Sequence, residues 1–132
     1  MAFVLPISRL ETYKFLCDPD TARNGVRVMR ETGQLATRLG IPLEDRPPLP
    51  SATVVTSAED QAVEVLQAIG VTLRERASQI RQSAMQDVLR GRRIEVEETL
   101  GYTLRKAAEF GLAMPTVETC YRLLAGLNRC LQ

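Results

Sequence analysis

The sequence predicts an all-α fold, a bundle of five or six helices that forms a single domain over residues 1–132. Apolar side chains recur at helical spacing in four long segments, and no segment alternates convincingly between apolar and polar residues. Glycine and proline stand between these segments, where helices end. Hydrophobic residues make up 45% of the chain, enough to bury a core and to exclude disorder.

The first long helix is predicted to run from Asp18 to about Arg38. Asp18 is a favoured N-cap, and Pro19 suits the first helical position because its missing N–H is not needed there. Gly40 follows as the stop signal. Its inward side chains are expected to be Val26, Met29, Ala36 and Leu39. Residues 3–16 fit either the tail of an earlier helix or an irregular lead-in.

Residues 41–55 contain four prolines, a density that predicts a surface loop. A second long helix is predicted to begin within residues 57–60. Gly70 lies inside it and costs about 1 kcal/mol relative to alanine, unless close packing requires a glycine. The predicted apolar stripe consists of Ala62, Leu66, Ile69, Leu73, Ala77 and Ile80.

A short helix is predicted from Ser83 to Leu89, because Ser83 and Gln86 have the spacing of a capping box. Two further long helices are predicted over residues 94–110 and 116–131, and Gly111 ends the first of them. Their expected buried positions are Val96, Leu100, Thr103, Leu104, Ala107 and Ala108 in the first, and Val117, Cys120, Tyr121, Leu124, Leu127 and Leu131 in the second.

Two polar side chains in this region are candidates for chemistry. Ser83 is either a helix N-cap or a hydroxyl that contacts a ligand, and the two roles are compatible. Glu95 is expected in the first turn of its helix, where the helix dipole favours an acid whether or not a ligand binds. Three arginines, Arg90, Arg92 and Arg93, are expected to form a solvated corner that pairs with neighbouring acids.

Composition excludes several classes of function. The chain has no histidine, which removes catalysis by Ser-His-Asp or Cys-His and zinc sites of the HExxH type. It also has no tryptophan and a net charge of +1, so neither a nucleic acid nor a membrane surface is expected as a partner. No G-x-G-x-x-G motif occurs, so no phosphate-binding loop of this type is expected. No apolar run is long enough to cross a bilayer, the first residues do not have the pattern expected of a signal peptide, and a cytoplasmic location is expected.

The cysteines predict neither a disulfide framework nor a metal site. Three occur, at Cys17, Cys120 and Cys130, and none forms a C-x-x-C pair. Cys120 and Cys130 fall on an apolar helix, so both are expected to be buried packing residues. One of the two lysines, Lys14, adjoins a tyrosine and is expected at the surface, although a buried lysine of lowered pKa can act as a general acid.

Five spaced elements resemble the C-terminal domain of the ketopantoate reductases. That family reads S-M-x-x-D, then G-R-x-x-E-[IL]-[DE], a glycine, and G-[IV]-x-x-P, after a helix that begins D-P-x-[TA]-R and ends A-x-x-x-G-[IV]. The matching residues here are Asp18-Pro19-Asp20-Thr21 through Glu31 to Gly40-Ile41, then Ser83-Ala84-Met85-Gln86-Asp87, Gly91-Arg92-Arg93-Ile94-Glu95-Val96-Glu97, Gly101, and Phe110-Gly111-Leu112-Ala113-Met114-Pro115.

The resemblance implies a fold and a reaction. Members are two-domain enzymes that reduce 2-dehydropantoate to pantoate with NADPH, on the way to pantothenate and coenzyme A. A Rossmann domain holds the cofactor, and an all-α domain like that of 6-phosphogluconate dehydrogenase closes the substrate cleft. Ser83 aligns with the family serine that contacts the substrate. Glu95 aligns with the glutamate that faces the cofactor and the active lysine.

Other parts of the family pattern fall outside these residues. The Rossmann domain and its glycine motif are not in the sequence, and the position of the family lysine falls at or before Met1. Lys14 lies too close to Asp18 to be that lysine, and neither Asn24 nor Asn128 fits a substrate-binding asparagine of the family. We therefore expect no catalytic residue in this chain, no cofactor bound by the chain alone, and no turnover without a Rossmann domain.

Two classes of function follow. The chain is either the substrate domain of a ketopantoate-reductase-like oxidoreductase, with a Rossmann domain in cis or in trans, or a stand-alone, non-catalytic helical module for binding or dimerisation. A Rossmann motif encoded upstream or in an adjacent frame would favour the first. In both cases an apolar patch of several hundred Å² and self-association to a homo-oligomer are expected.

Overall fold

The computed structural model describes the backbone of residues 5–77 and 83–131 and the side chains of residues 6–76 and 86–131. Helices dominate these residues, which confirms the all-α prediction. The helices are α1 (Leu5–Ser8), α2 (Thr12–Cys17), α3 (Pro19–Arg38), α4 (Ser51–Thr56), α5 (Glu59–Ala77), α6 (Ser83–Leu89), α7 (Tyr102–Glu109) and α8 (Pro115–Cys130). The described residues thus hold eight α-helices rather than five or six, since short helices form in the lead-in and in the proline-rich segment.

Helix α3 begins and ends where the sequence predicts. Asp18 Oδ1 accepts hydrogen bonds from the backbone N–H groups of Asp20 (3.0 Å) and Thr21 (2.9 Å). These hydrogen bonds hold the pKa of Asp18 below its usual value, and the bond from the backbone of Thr21 has the largest effect. Gly40 closes the helix with a φ of +73°, a conformation that glycine adopts without strain. Leu39 was expected inside but is 44% exposed, because it is the C-cap and leaves the buried face.

The proline-rich segment is more ordered than the predicted loop. Strands β1 (Asp45–Arg46) and β2 (Leu49–Pro50) form an antiparallel pair, and α4 starts directly after Pro50. Asp45 accepts hydrogen bonds from Thr53 N (2.9 Å) and Thr53 Oγ1 (2.5 Å), so the hairpin supplies the cap of α4. The loop prediction was wrong here because proline disfavours a helix interior but is tolerated just before a helix begins.

The core forms where α5 packs against α2, α3 and α4. Gly70 lies at the closest approach of α5 to α2: a Cβ added there would come within 2.8 Å of Cys17 Sγ and 2.9 Å of Leu16 Cβ. Close packing therefore explains the glycine. The predicted stripe is confirmed at Ala62 and Leu66, which are fully buried, while Ala77 and Ile80 lie outside the described side chains.

The predicted helix over residues 94–110 is wrong at its start. Residues 92–95 have no regular structure, and a π-helical turn, Glu97–Gly101, precedes α7. The bond from Gly101 N to Val96 O (2.9 Å) spans five residues and defines this wider turn. The buried positions Val96, Leu100 and Ala107 are confirmed, whereas Ala108 is exposed.

The predicted inward face of α8 is largely confirmed, since Val117, Cys120 and Leu124 are buried. Burial also raises the pKa of the Cys120 thiol. Cys130 was expected to be buried but is exposed, because it lies off this face in the last turn. The first turn is capped from outside: Glu31 on α3 accepts hydrogen bonds from Thr116 N (2.8 Å) and Val117 N (2.9 Å).

Candidate functional site

The backbone of Ser83 forms the first residue of α6, as predicted for the start of this short helix. Its side chain lies outside the described residues, so both readings of the hydroxyl, N-cap and ligand contact, stay predictions. The predicted end of the helix at Leu89 is confirmed.

A tight corner follows α6 and turns the chain toward residues 92–95. Gly91 has a φ of +69°, and Arg92 N donates to Asp87 O (2.7 Å), so the carbonyls at the end of α6 are capped. The corner arginines Arg90, Arg92 and Arg93 are exposed, as expected. The predicted pairing with the nearby acids is not seen for Arg93, which instead donates from Nε to Leu131 O (3.4 Å).

The sequence predicted Glu95 in the first turn of a helix, and this prediction was wrong. Glu95 belongs to the irregular segment, and Glu97 and Glu98 occupy the first turn that follows. The prediction failed because the chain bends at Ile94 to bury that side chain, and regular structure begins only after Val96. Glu95 is exposed, so its carboxylate faces away from the core of this domain.

Asn128 on α8 holds the segment that carries Glu95. Its Oδ1 accepts a hydrogen bond from Ile94 N (2.9 Å), and its Nδ2 donates to Ile94 O (2.7 Å). The Ile94 side chain is only 7% exposed, so this residue is fixed by its backbone and by its side chain. Sequence reasoning missed this role. The available signal was an amide four residues after the inward-facing Leu124.

The carboxylate of Glu97 is bound within the domain by Tyr121 and Arg105. Tyr121 Oη donates to Glu97 Oε1 (2.7 Å), and Arg105 Nη1 lies 3.6 Å from Oε2. The hydrogen bond to Glu97 raises the pKa of Tyr121. Gly101 leaves room for this cluster, since a Cβ there would stand 2.8 Å from Glu97 Oε2. Of these two acids, Glu95 is therefore the one placed to meet a partner.

A small cavity of about 180 Å³ lies between the irregular segment and α8. It is lined by Arg93, Val96, Glu97, Ala125, Asn128 and Arg129. A second cavity of about 330 Å³ lies at the junction of α7 and α8, where Leu104, Leu112, Met114 and Tyr121 contribute to its wall. Both are open clefts on the surface of one domain, shallower than the enclosed sites that bury most of a small ligand.

Lys14 is a surface residue, as expected. Its Nζ forms an ion pair with Glu11 Oε2 at 2.9 Å, and the ammonium lies 5.7 Å from the ring centre of Tyr13. The hydrogen bond and the charge of Glu11 raise the pKa of Lys14. A general acid near neutral pH needs the opposite shift, so Lys14 has no features of a proton donor.

The described part of the chain has no group of three or more histidine, cysteine or acidic side chains placed to hold a metal ion. Among the same residues, none of the helices combines the length and the apolar character needed to cross a bilayer.

These features define a helical domain whose exposed Glu95 stands next to an arginine corner. The sequence model of the family described as "Ketopantoate reductase PanE/ApbA C terminal" matches residues 6–128, nearly the whole chain. The chain therefore belongs to this family, whose name describes the C-terminal part of a reductase. The partner that the family implies is a catalytic N-terminal domain. Comparisons with curated proteins and with solved structures give no match.

The residues present fit only one part of the cofactor that the family implies. Glu95 offers carboxylate oxygens, which accept hydrogen bonds from the hydroxyl or amide groups of a dinucleotide. The diphosphate requires backbone N–H groups in a glycine-rich turn, and these 132 residues contain no G-x-G-x-x-G. The exposed carboxylate of Glu95 thus fits a hydrogen-bonding contact with a dinucleotide, and the sequence offers no glycine-rich turn of this type for the diphosphate.

Proposed function

We propose that the chain is the substrate-binding domain of a ketopantoate-reductase-like oxidoreductase that reduces 2-dehydropantoate to pantoate with NADPH. The observation that carries the proposal is the exposed carboxylate of Glu95, directly after a residue, Ile94, whose backbone is held by two hydrogen bonds with Asn128, within a sequence that belongs to this family. The Rossmann domain that completes the cleft is in cis or in trans. A cytoplasmic location belongs to the same proposal.

In this proposal each residue of the chain has a limited task. The hydroxyl of Ser83 contacts the carboxylate or hydroxyl of the 2-oxo acid. The carboxylate of Glu95 accepts a hydrogen bond from the cofactor side of the cleft and orients the groups around it. NADPH, when bound, supplies the hydride. Lys14 is not the proton donor to the carbonyl oxygen in this proposal, since it is paired with Glu11 and its pKa is raised.

The test compares two exposed acids in the chain purified with its Rossmann partner, identified from the upstream or adjacent reading frame. Oxidation of NADPH by 2-dehydropantoate is expected for the complex and not for the chain alone. Glu95→Gln is expected to lower kcat/KM roughly 100-fold, because a positioned group in the cleft is lost. Glu98→Gln, also exposed and three residues further on, is the matched control and should leave kcat/KM unchanged.

Two results would count against the proposal. One is equal activity of the Glu95→Gln and Glu98→Gln variants, which would remove Glu95 from the cleft. The other is the absence of NADPH oxidation with 2-dehydropantoate in a complex that binds NADPH. If the complex reduces 2-dehydropantoate but no other 2-oxo acid, the substrate class is narrower than 2-oxo acids in general.

A second candidate is a helical module that self-associates without catalysis. Large apolar side chains on the surface favour it: Tyr102 is 54% exposed and Leu123 is 55% exposed. A homo-oligomer would cover such groups. Sedimentation of the purified chain with and without the Rossmann domain distinguishes the candidates. An oligomer that does not bind the Rossmann domain supports the module, and formation of a complex with the Rossmann domain supports the reductase.

A further inference from the structure

We propose that Asn128 is the positioning residue for Glu95. It holds the backbone of Ile94 by two hydrogen bonds from α8, and thereby sets where the carboxylate one residue later is presented. The inference rests on the proposed function of Glu95 and names a residue for which the family comparison assigned no role.

The side-chain amide of Asn128 forms hydrogen bonds with Ile94 of the kind that backbone groups form in a helix or a sheet. Residues 92–95 form no helix or strand, although Arg92 N donates to Asp87 O of α6 and Thr99 Oγ1 donates to the carbonyl of Glu95. Ile94 is the buried residue of this segment, and a buried N–H without a partner is costly. The side-chain amide of Asn128 offers a donor and an acceptor in one planar group, and it pairs with both the N–H and the carbonyl of Ile94. The same carbonyl also accepts a hydrogen bond from Val96 N (2.9 Å).

The position of Asn128 argues that this contact is its main role. An apolar side chain would suit the inward face of α8, where Leu124 is fully buried and Leu127 and Leu131 pack partly against the core. The half-buried amide at position 128 points to the irregular segment instead of adding to that core. Contacts of this kind orient a functional group without touching its ligand.

The first experiment measures the segment itself in the full chain. Asn128→Ala is expected to speed amide hydrogen exchange at Ile94 at least about tenfold and to lower the NMR order parameter at Glu95 from about 0.85 toward 0.6. Val117→Ala, a core truncation on the same helix, is the control for general destabilisation and should leave both values close to wild type. Unchanged exchange at Ile94 in Asn128→Ala would overturn the inference.

A second variant, Asn128→Asp, tests the same role with a smaller change to the packing. Asn128→Asp has almost the same volume and keeps an acceptor for Ile94 N while it loses the donor to Ile94 O. It should therefore fold, protect the Ile94 amide, and still raise the mobility of Glu95. A wild-type order parameter at Glu95 in this variant would contradict the proposed role of the second hydrogen bond.

The last experiment asks whether Asn128 acts through Glu95, using the complex with the Rossmann domain. Asn128→Ala is expected to lower kcat/KM roughly 10- to 100-fold, and the double variant with Glu95→Gln should be no worse than Glu95→Gln alone. Additive losses would show a separate effect and overturn the inference. If Glu95→Gln itself has no effect, the proposed function is wrong, and so is the positioning role of Asn128 in catalysis. The hydrogen-exchange data would still show whether Asn128 holds the backbone of Ile94.

Discussion

Two glycines inside long helices offer a test in which the same substitution has opposite effects. Gly70 lies in α5 and Gly126 in α8. Replacing glycine by alanine in a helix interior is favourable by about 0.8–1.0 kcal/mol when nothing obstructs the methyl group, because alanine loses less conformational entropy on folding. The difference between the two sites is therefore set by their surroundings.

The surroundings of Gly70 allow no methyl group. The added Cβ would meet Cys17 Sγ at 2.8 Å, Leu16 Cβ at 2.9 Å and Cys17 N at 3.0 Å. Two of these atoms are at or near the backbone of α2, so relief requires a shift of the whole helix. Overpacking of this kind costs about 1–3 kcal/mol, and the upper half of that range is appropriate here. Set against the gain in propensity, Gly70→Ala is expected to destabilise the chain by about 1–2 kcal/mol.

Gly126 provides the matched control. The nearest atom to its added Cβ is Arg129 Nη2 at 3.7 Å, the movable end of a long side chain. Gly126→Ala is therefore expected to stabilise the chain by about 0.5–1 kcal/mol. Urea denaturation measures both, with the midpoints compared at a common slope. A Gly70→Ala variant as stable as Gly126→Ala would refute the claim that α5 and α2 are in contact at this point.

Two further predictions concern caps supplied by distant acids. Glu31→Ala should destabilise the chain by about 1–3 kcal/mol in urea denaturation, since two N–H groups at the start of α8 lose their acceptor; a loss below about 0.5 kcal/mol would contradict this role. The side-chain and backbone hydrogen bonds from Thr53 lower the pKa of Asp45 below 3.8, so its contribution to stability is present above about pH 4 and is lost as the pH falls through the folded-state pKa. Asp45→Asn should therefore flatten the acid limb of the stability profile, and a limb identical to that of wild type would argue against it.

The limits of α3 were predictable because its signals are local. Asp18 lies within three residues of the N–H groups it caps, and Gly40 follows directly after the C-cap. The apolar stripe of α5 was predictable for the same reason, since period alone selects its buried face. The corner at Gly91 could be placed, because a glycine between α6 and the next segment marks a turn in any context.

The candidate site was predictable in part. The family motifs selected Glu95, and the structure leaves it exposed. Its setting was mispredicted, because local propensity favours a helix from Ile94 onward, whereas burial of Ile94 and the contact with Asn128 hold an irregular segment there. The π-helical turn that ends at Gly101 has no sequence pattern of its own.

The sequence by itself determined the helical class of this protein, the two ends of α3 and the family, since caps, apolar period and motif order act over a few residues at a time. Only the tertiary structure decided which acids are engaged within the domain and which is presented outward. Glu31 reaches Thr116 and Asn128 reaches Ile94 across gaps of 85 and 34 residues. Such contacts depend on how the helices pack, and packing is a property of the whole chain.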